Sequence, residues 1–303
     1  MAGWRRGGRP AHGVWGALGI TVLAIGVGAL SVLALQSTAT SAPIGSARSA
    51  PTFDFGDRAS GTPTPSATVP PAATADAAER FLAIDGSDVW RATSGVCGGA
   101  APVVEYSSDG GDSWVDVTPD SAVQVVALAT LGSRASEVVA ATDATCAPTV
   151  LRTYTAGNAW QSYPQMLGAT TFVSPQDRSS VTAASTALSA PCAEARSART
   201  SRSVTGIVCD GSAFVWSNDE WTTLAPDAVA LDAVAGTIVV AHVSDECEAG
   251  VTVTQFTEVE GAELGCISDV DAAALTDVAA PAALSLLGED LVFWSGDSVF
   301  GLD

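Results

Sequence analysis

The sequence contains no lysine, and all 13 of its basic residues are arginine. It carries 33 acidic residues, so its formal net charge is −20. A surface that is so poor in cations repels phosphate groups, and we therefore expect no nucleic-acid partner. The lack of lysine, together with abundant alanine, is the composition of a high-GC bacterial genome, such as an actinobacterial one, rather than a functional signal.

Histidine is nearly as scarce, and His242 is the only one beyond residue 12. It lies in the apolar run 238–243 (IVVAHV), which is typical of a buried strand where a histidine packs or forms a hydrogen bond. As a catalytic base it would need a nucleophile and an orienting carboxylate. The sequence also has no Cys-x-x-Cys pair. We expect no catalytic residue, no bound metal and no cofactor.

Charged residues are absent from positions 14–35, and Arg5, Arg6 and Arg9 precede this run. Its 22 residues would span roughly 33 Å as a helix, enough for a bilayer core of about 30 Å. The arginines favour a cytoplasmic N-terminus. We predict a cytoplasmic tail at 1–13 and a signal-anchor transmembrane helix at 14–35, with the rest of the chain extracytoplasmic at the cell membrane. The alternative is a signal peptide cleaved after Ala39 or Ala42.

Residues 36–77 are mostly Ser, Thr, Ala, Pro and Gly. Such a segment buries too little apolar surface to fold, and its prolines stiffen it. We predict an extended linker that separates the membrane from a folded domain at residues 78–303.

Short strands separated by turns recur throughout the predicted domain, which indicates an all-β fold. The first two units each contain four predicted strands, at 81–84, 89–93, 102–106 and 113–117, and at 123–131, 137–141, 149–155 and 159–163. A third, longer unit runs to residue 223 with an insertion between residues 187 and 203, and two more units follow. The length of the domain and a repeat near 45 residues predict about five units.

A hairpin turn at residues 106–114 (YSSDGGDSW) gives the clearest motif in the chain. The motif residues are Ser107, Asp109, Gly111, Ser113 and Trp114. A partial copy, with a threonine in place of the aspartate, ends at Gly157 and Trp160, and its tryptophan lies 46 residues after the first. A third remnant at residues 216–221 (WSNDEW) has lost its glycine.

These turns resemble the Asp-box, or BNR, repeat of bacterial sialidases, sortilin-type receptors and the photosystem II assembly factor family. The resemblance implies a β-propeller of about five four-stranded blades, in which each motif joins the two outer strands of a blade. A β-sandwich or two smaller β domains would use the same strands. Within the motif, Asp109 and Asp112 could also suit a calcium loop, although capping of the turn is the favoured interpretation.

The sialidase resemblance further implies an arginine trio and a tyrosine nucleophile. Arginines and tyrosines are available as residue types at Arg91, Arg134, Arg152, Arg178, Tyr106, Tyr154 and Tyr163. The Phe/Tyr-Arg-Ile-Pro stretch of those enzymes is missing, so no catalytic residue is carried over. Trp90, Trp216 and Trp294 could face a sugar, but tryptophan in short strands is more often packed in the core.

The six cysteines all lie in the predicted extracytoplasmic domain, where an oxidising environment favours three disulfides. Six cysteines allow 15 pairings. The units favour Cys192 with Cys209 and Cys247 with Cys266, each within one unit, and Cys97 with Cys146 between the first two units. The sequence thus predicts a membrane-anchored extracytoplasmic propeller that binds a protein or glycan ligand at the cell envelope without catalysis. The alternatives are a sialidase-like glycan hydrolase and a carbohydrate-binding module.

Overall fold

A computed structural model describes residues 78–247, 250–268, 270, 275 and 281–301. The predicted tail at 1–13, transmembrane helix at 14–35 and linker at 36–77 lie outside these residues. In the part of the chain that is described, no helix is both long and apolar enough to cross a membrane.

The described residues form 22 β-strands in six antiparallel sheets, and strands that follow each other in sequence pair within each sheet. We call the sheets blades 1 to 6, of which blades 3 and 6 have three strands and the others four. Blade 1 contains β1 (Arg80–Asp85), β2 (Asp88–Thr93), β3 (Val103–Ser107) and β4 (Val115–Asp116), and blade 2 contains β5 (Gln124–Gly132), β6 (Ala135–Ala141), β7 (Pro148–Thr153) and β8 (Gln161–Ser162). A short 3₁₀ helix (Pro164–Ala169) leads to blade 3, with β9 (Thr171–Val173), β10 (Ser180–Ala183) and β11 (Thr186–Ser189). Blade 4 contains β12 (Ala195–Ser201), β13 (Val204–Cys209), β14 (Ser212–Ser217) and β15 (Glu220–Ala225). Blade 5 contains β16 (Ala228–Val234), β17 (Thr237–His242), β18 (Gly250–Thr257) and β19 (Glu260–Ser268), and blade 6 contains β20 (Ala282–Leu287), β21 (Asp290–Ser295) and β22 (Ser298–Gly301).

The blades close into a ring around their innermost strands. β1, β5, β9, β12, β16 and β20 each contact the next in that order, and β20 returns to β1. The fold is therefore an all-β propeller. It has six blades, so the prediction of about five was wrong.

The blade that the prediction lacked lies in the third predicted unit, because that unit contains both blade 3 and blade 4. The supposed insertion at 187–203 contains β12, the innermost strand of blade 4. Its sequence, ARSARTS, looks like a polar loop, but Ala195 and Ala198 are buried in a core cluster while Arg196 and Arg199 make interior polar contacts. Arginine is rarely buried unless it is paired, so the pattern does not predict a strand.

Each of the six interfaces between blades has its own hydrophobic cluster. In β1, Phe81 and Ala83 face blade 2, whereas Leu82 and Ile84 face blade 6. Both faces of a blade are thus buried, which explains why the inner strands other than β12 read as nearly continuous apolar runs.

Three disulfides are present, and they join the pairs favoured from the sequence. Cys97 and Cys146 connect the loops after the second strands of blades 1 and 2. Cys192 joins the segment before β12 to Cys209 at the end of β13, and Cys247 joins Cys266 within blade 5. None of the described cysteines is free.

Candidate functional site

The turn between β3 and β4 is held by hydrogen bonds among the motif residues. Ser107 Oγ accepts the backbone N–H of Gly111 at 2.8 Å and donates to Asp109 Oδ1 at 2.6 Å. The Asp109 carboxylate also accepts the N–H of Ser113 at 2.9 Å and its hydroxyl. These bonds, led by that from Ser107, lower the pKa of Asp109 to about 2.

This network bears on the calcium interpretation of Asp109 and Asp112. The oxygens of Asp109 are engaged in capping the turn, and φ values of 78° and 103° at Gly110 and Gly111 supply its left-handed backbone. Among the described residues, no group of three or more His, Cys, Asp or Glu could hold a metal ion. The geometry favours the capping role for Asp109.

The turn between β7 and β8 repeats the network with hydroxyl groups alone. Thr153 Oγ1 accepts the N–H of Gly157 at 3.0 Å, and Thr155 Oγ1 accepts the N–H of Ala159 at 3.1 Å. Thr155 therefore takes the place of the aspartate, as a neutral acceptor.

The tryptophans at these turns tie each blade to the one before it. Trp160 Nε1 in blade 2 donates to Val117 O after blade 1 at 2.8 Å, and Trp221 Nε1 in blade 4 donates to Ser189 O in blade 3 at 2.7 Å. Trp114 packs in the cluster between blades 1 and 6. The fold is thus a β-propeller in which two turns have the Asp-box pattern. The motif residues cap these turns and join neighbouring blades, so their role is architectural.

Comparisons with known proteins find a distant structural likeness and no matching sequence family. No protein-family model matches the sequence, and no curated protein is detectably similar to it. Among solved structures, YCF48 bound to D1 peptide is 13% identical, with a TM-score of 0.39 over 73% of this chain and 77% of that one. The SapL1 lectin in complex with alpha methyl fucoside is 10% identical, with a TM-score of 0.45 over 74% of this chain and 92% of that one. The Trypanosoma rangeli sialidase is 10% identical, with a TM-score of 0.39 over 74% of this chain and 52% of that one. At these levels the likeness assigns neither a ligand nor an activity.

The arginines considered for a sialidase-like trio lie apart and have different partners. Arg91 pairs with Glu105 on the neighbouring strand of blade 1, at 2.7 Å. Arg152 pairs with Glu137 in blade 2 at 2.6 Å. Arg178 lies in the β9–β10 connection of blade 3, and Arg134 lies in an exposed turn of blade 2. The structure does not bring these side chains together.

Two of the three tyrosines, Tyr154 and Tyr163, lie beside Arg152 in blade 2, whereas Tyr106 lies in blade 1. Tyr106 is buried and its hydroxyl donates to Asp88 Oδ1 at 2.5 Å; burial, together with Asp88, raises the pKa of Tyr106 to about 12. Tyr154 lies exposed in the second Asp-box turn, and Tyr163 lies beside Arg152. Such a high pKa makes Tyr106 a poor nucleophile at neutral pH.

One buried ion pair links the start of blade 1 to the β9–β10 connection of blade 3. Arg178 Nη1 lies 2.7 Å from Glu79 Oε2, and the two side chains are only 6% and 8% exposed. Glu79 Oε1 also accepts the backbone N–H of Ser197 in blade 4, at 3.2 Å. The exposed carboxylate of Glu194 lies 3.8 Å from Arg178 Nε. Glu79 immediately precedes the inner strand β1, so this pair joins three blades at the ring centre.

A second pair joins Arg199 in β12 to Asp232 in β16, with 3.6 Å between Nε and Oδ1. Asp232 accepts the N–H of Leu286 in blade 6 at 2.9 Å, while Arg199 donates to Leu82 O in blade 1 at 3.4 Å. Burial raises the pKa of Asp232, although Arg199 opposes that shift, and burial lowers the pKa of Arg199. Neither pair was predictable from the sequence, because the partners are far apart in the chain and only the fold brings them together.

Two of the cavities offer little for ligand chemistry. One of about 200 Å³ lies between blades 2, 3 and 4, and its charged groups, Glu137 and Arg199, are already paired. An open depression in blade 5 includes His242 and two aspartates, Asp227 and Asp245. His242 Nε2 lies 2.9 Å from Thr254 Oγ1, and burial lowers the pKa of the imidazole. This is the packed, hydrogen-bonded histidine that the sequence predicts.

A third cavity, of about 300 Å³, opens between blades 3 and 4. Of the three tryptophans considered for sugar binding, Trp90 and Trp294 are buried in the core at 0% and 5% exposure. Only Trp216 lines this cavity, where it is half-buried. We call this cavity the blade 3–4 cleft.

Proposed function

We propose that this chain is a membrane-anchored, extracytoplasmic propeller that binds a ligand at the cell envelope without catalysing a reaction. The observation that supports the proposal is that the charged residues at the ring centre are paired with one another. The charged residues there, Glu79, Arg178, Arg199 and Asp232, satisfy one another in buried pairs. Groups engaged in this way are not free to act on a substrate.

The three disulfides support the extracytoplasmic location, because structural disulfides form and persist in oxidising compartments. The predicted transmembrane helix at 14–35 would supply the anchor.

The distribution of arginine supports a partner that tolerates an acidic surface. Six of the eight arginines from residue 80 onward are buried or half-buried, and only Arg134 and Arg202 are exposed. The cations are thus largely inside, while most carboxylates face solvent. Nucleic acid remains an unfavourable partner, and a protein or glycan fits better.

Catalysis is tested by incubating the purified full chain with fluorogenic sialosides and neutral glycosides. We expect release of the fluorophore at the rate seen without protein. Turnover that saturates with substrate and is lost on heating would refute the non-enzymatic role and favour the hydrolase alternative.

The anchor is tested by expressing the full chain with a C-terminal epitope in a bacterium. We expect the epitope in the membrane fraction, at the full-length mass and open to protease added outside the cytoplasmic membrane. A shortened, freely soluble product would instead indicate cleavage of a signal peptide.

A further inference from the structure

The blade 3–4 cleft has one wall built from a row of side chains across blade 4. Thr200 pairs across the strands with Thr205, which pairs with Trp216, which pairs with Trp221. The hydroxyls of Thr200 and Thr205 lie 2.8 Å apart, and the two indole rings pack at 5.3 Å. The cleft therefore has an aromatic surface beside hydroxyl groups that can donate or accept.

The opposite wall comes from the β10–β11 hairpin of blade 3, with Ala183, Ala184, Thr186 and Leu188. The strands of this blade are only three or four residues long. These side chains are mostly small, so the volume beside Trp216 is left open rather than packed.

Two charged residues line the mouth of the cleft, Arg202 on the β12–β13 turn and Asp219 on the β14–β15 turn, and the Arg202 side chain also lies beside Gly236 of blade 5. Both are exposed, and their left-handed backbones have φ values of 56° and 64°. Neither forms an ion pair within 4 Å with any residue that the structure describes. This separates the cleft from the ring centre, where the charged groups already have partners.

We infer that the blade 3–4 cleft is a binding site for a neutral pyranose unit of a glycan. An indole face packs against the C–H face of a sugar ring, while a guanidinium, a carboxylate and hydroxyls are suited to hydrogen bonds with its hydroxyl groups. A volume of about 300 Å³ lies at the lower end of ligand clefts, which fits one or two sugar rings. A neutral sugar fits because the domain is strongly acidic, whereas a uronic or sialic acid would be repelled.

This inference rests on the proposed binding function and names the ligand for it. The test uses the full chain in a detergent without a sugar headgroup, so that the detergent cannot occupy the cleft. Saturation-transfer difference NMR with a panel of neutral methyl pyranosides identifies a binder, and calorimetry measures its Kd. We expect a Kd on the order of millimolar for a single sugar.

The chain supplies matched control variants. Arg202→Ala is compared with Arg134→Ala, because Arg134 lies in the equivalent turn of blade 2 with a φ of 58°. Asp219→Ala is compared with Glu258→Ala, in the equivalent turn of blade 5 with a φ of 57°. We expect each cleft variant to raise the Kd at least tenfold and each control to change it less than twofold. Since all four residues are exposed, the variants should fold alike, which circular dichroism checks.

Three results would overturn the inference: no neutral pyranoside binds at millimolar concentrations, only acidic sugars bind, or Arg202→Ala and Arg134→Ala have equal effects. None of these would affect the non-enzymatic role, which fails only if a glycoside is turned over.

Discussion

Replacing Glu79 with glutamine should destabilise the domain far more than the same change at Glu194, although both carboxylates lie beside Arg178. Glu79 is buried and lies 2.7 Å from Arg178, which is itself only 6% exposed. The substitution removes the carboxylate that lies 2.7 Å from a buried guanidinium, at a cost of about 3–5 kcal/mol. Glu194 is 59% exposed and 3.8 Å away, so its replacement should cost less than about 1 kcal/mol.

Guanidinium chloride unfolding and calorimetry of the full chain measure this difference. At about 2–4 °C per kcal/mol, Glu79→Gln should lower the Tm by roughly 6–20 °C, while Glu194→Gln should shift it by a few degrees at most. The double variant Glu79→Leu/Arg178→Met removes both charges and should recover much of the loss. Equal Tm values for the two glutamine variants would show that the buried pair does not stabilise the ring.

Three further predictions concern the Asp-box turns. Asp109→Asn should lower the free energy of unfolding at neutral pH. The pKa of Asp109 is about 2 in the folded chain and near 4 in the unfolded chain, so the difference in unfolding free energy between variant and unsubstituted chain should shrink as the pH falls from about 4 to 2. Urea unfolding at each pH measures this difference. Gly157→Ala places a Cβ 2.3 Å from Val117 Cβ and should lower the free energy of unfolding by more than about 2 kcal/mol. Gly111→Ala should lower it less, because the atom nearest to its Cβ, in the Trp114 ring, is 3.4 Å away. Equal unfolding midpoints in denaturant for the two variants would contradict this. Trp160→Phe loses the hydrogen bond to Val117 O and should cost about 1–3 kcal/mol in the same assay, and no change would mean that this bond does not hold blade 2 to blade 1.

Local features of the fold were predictable from the sequence. The hydrogen bonds of Asp109 run only to residues within four positions of it, so the turn can be recognised from a short pattern. Most of the predicted strands of blades 1 and 2 lie within two residues of those observed, because apolar runs between turn formers signal strands directly.

Long-range features were not predictable in this way. Glu79 and Arg178 are 99 residues apart, and nothing near either one marks it as half of a buried pair. β12 was not predicted for the same reason, because its two arginines have partners on other strands that are distant in sequence. The blade 3–4 cleft was not predictable either, because Arg202 and Asp219 come to it from separate turns. Of its residues, Trp216 alone was a candidate for sugar binding from the sequence.

The six hydrophobic clusters mean that this domain has no single core whose loss would unfold everything at once. Its stability is distributed over six interfaces between blades, and these interfaces need not be equally stable. Blade 3, with strands of only three or four residues, offers few interstrand hydrogen bonds and should exchange its amide protons fastest. Since that blade forms one wall of the cleft, the most easily opened part of the ring is also the part that a bound ligand would hold closed.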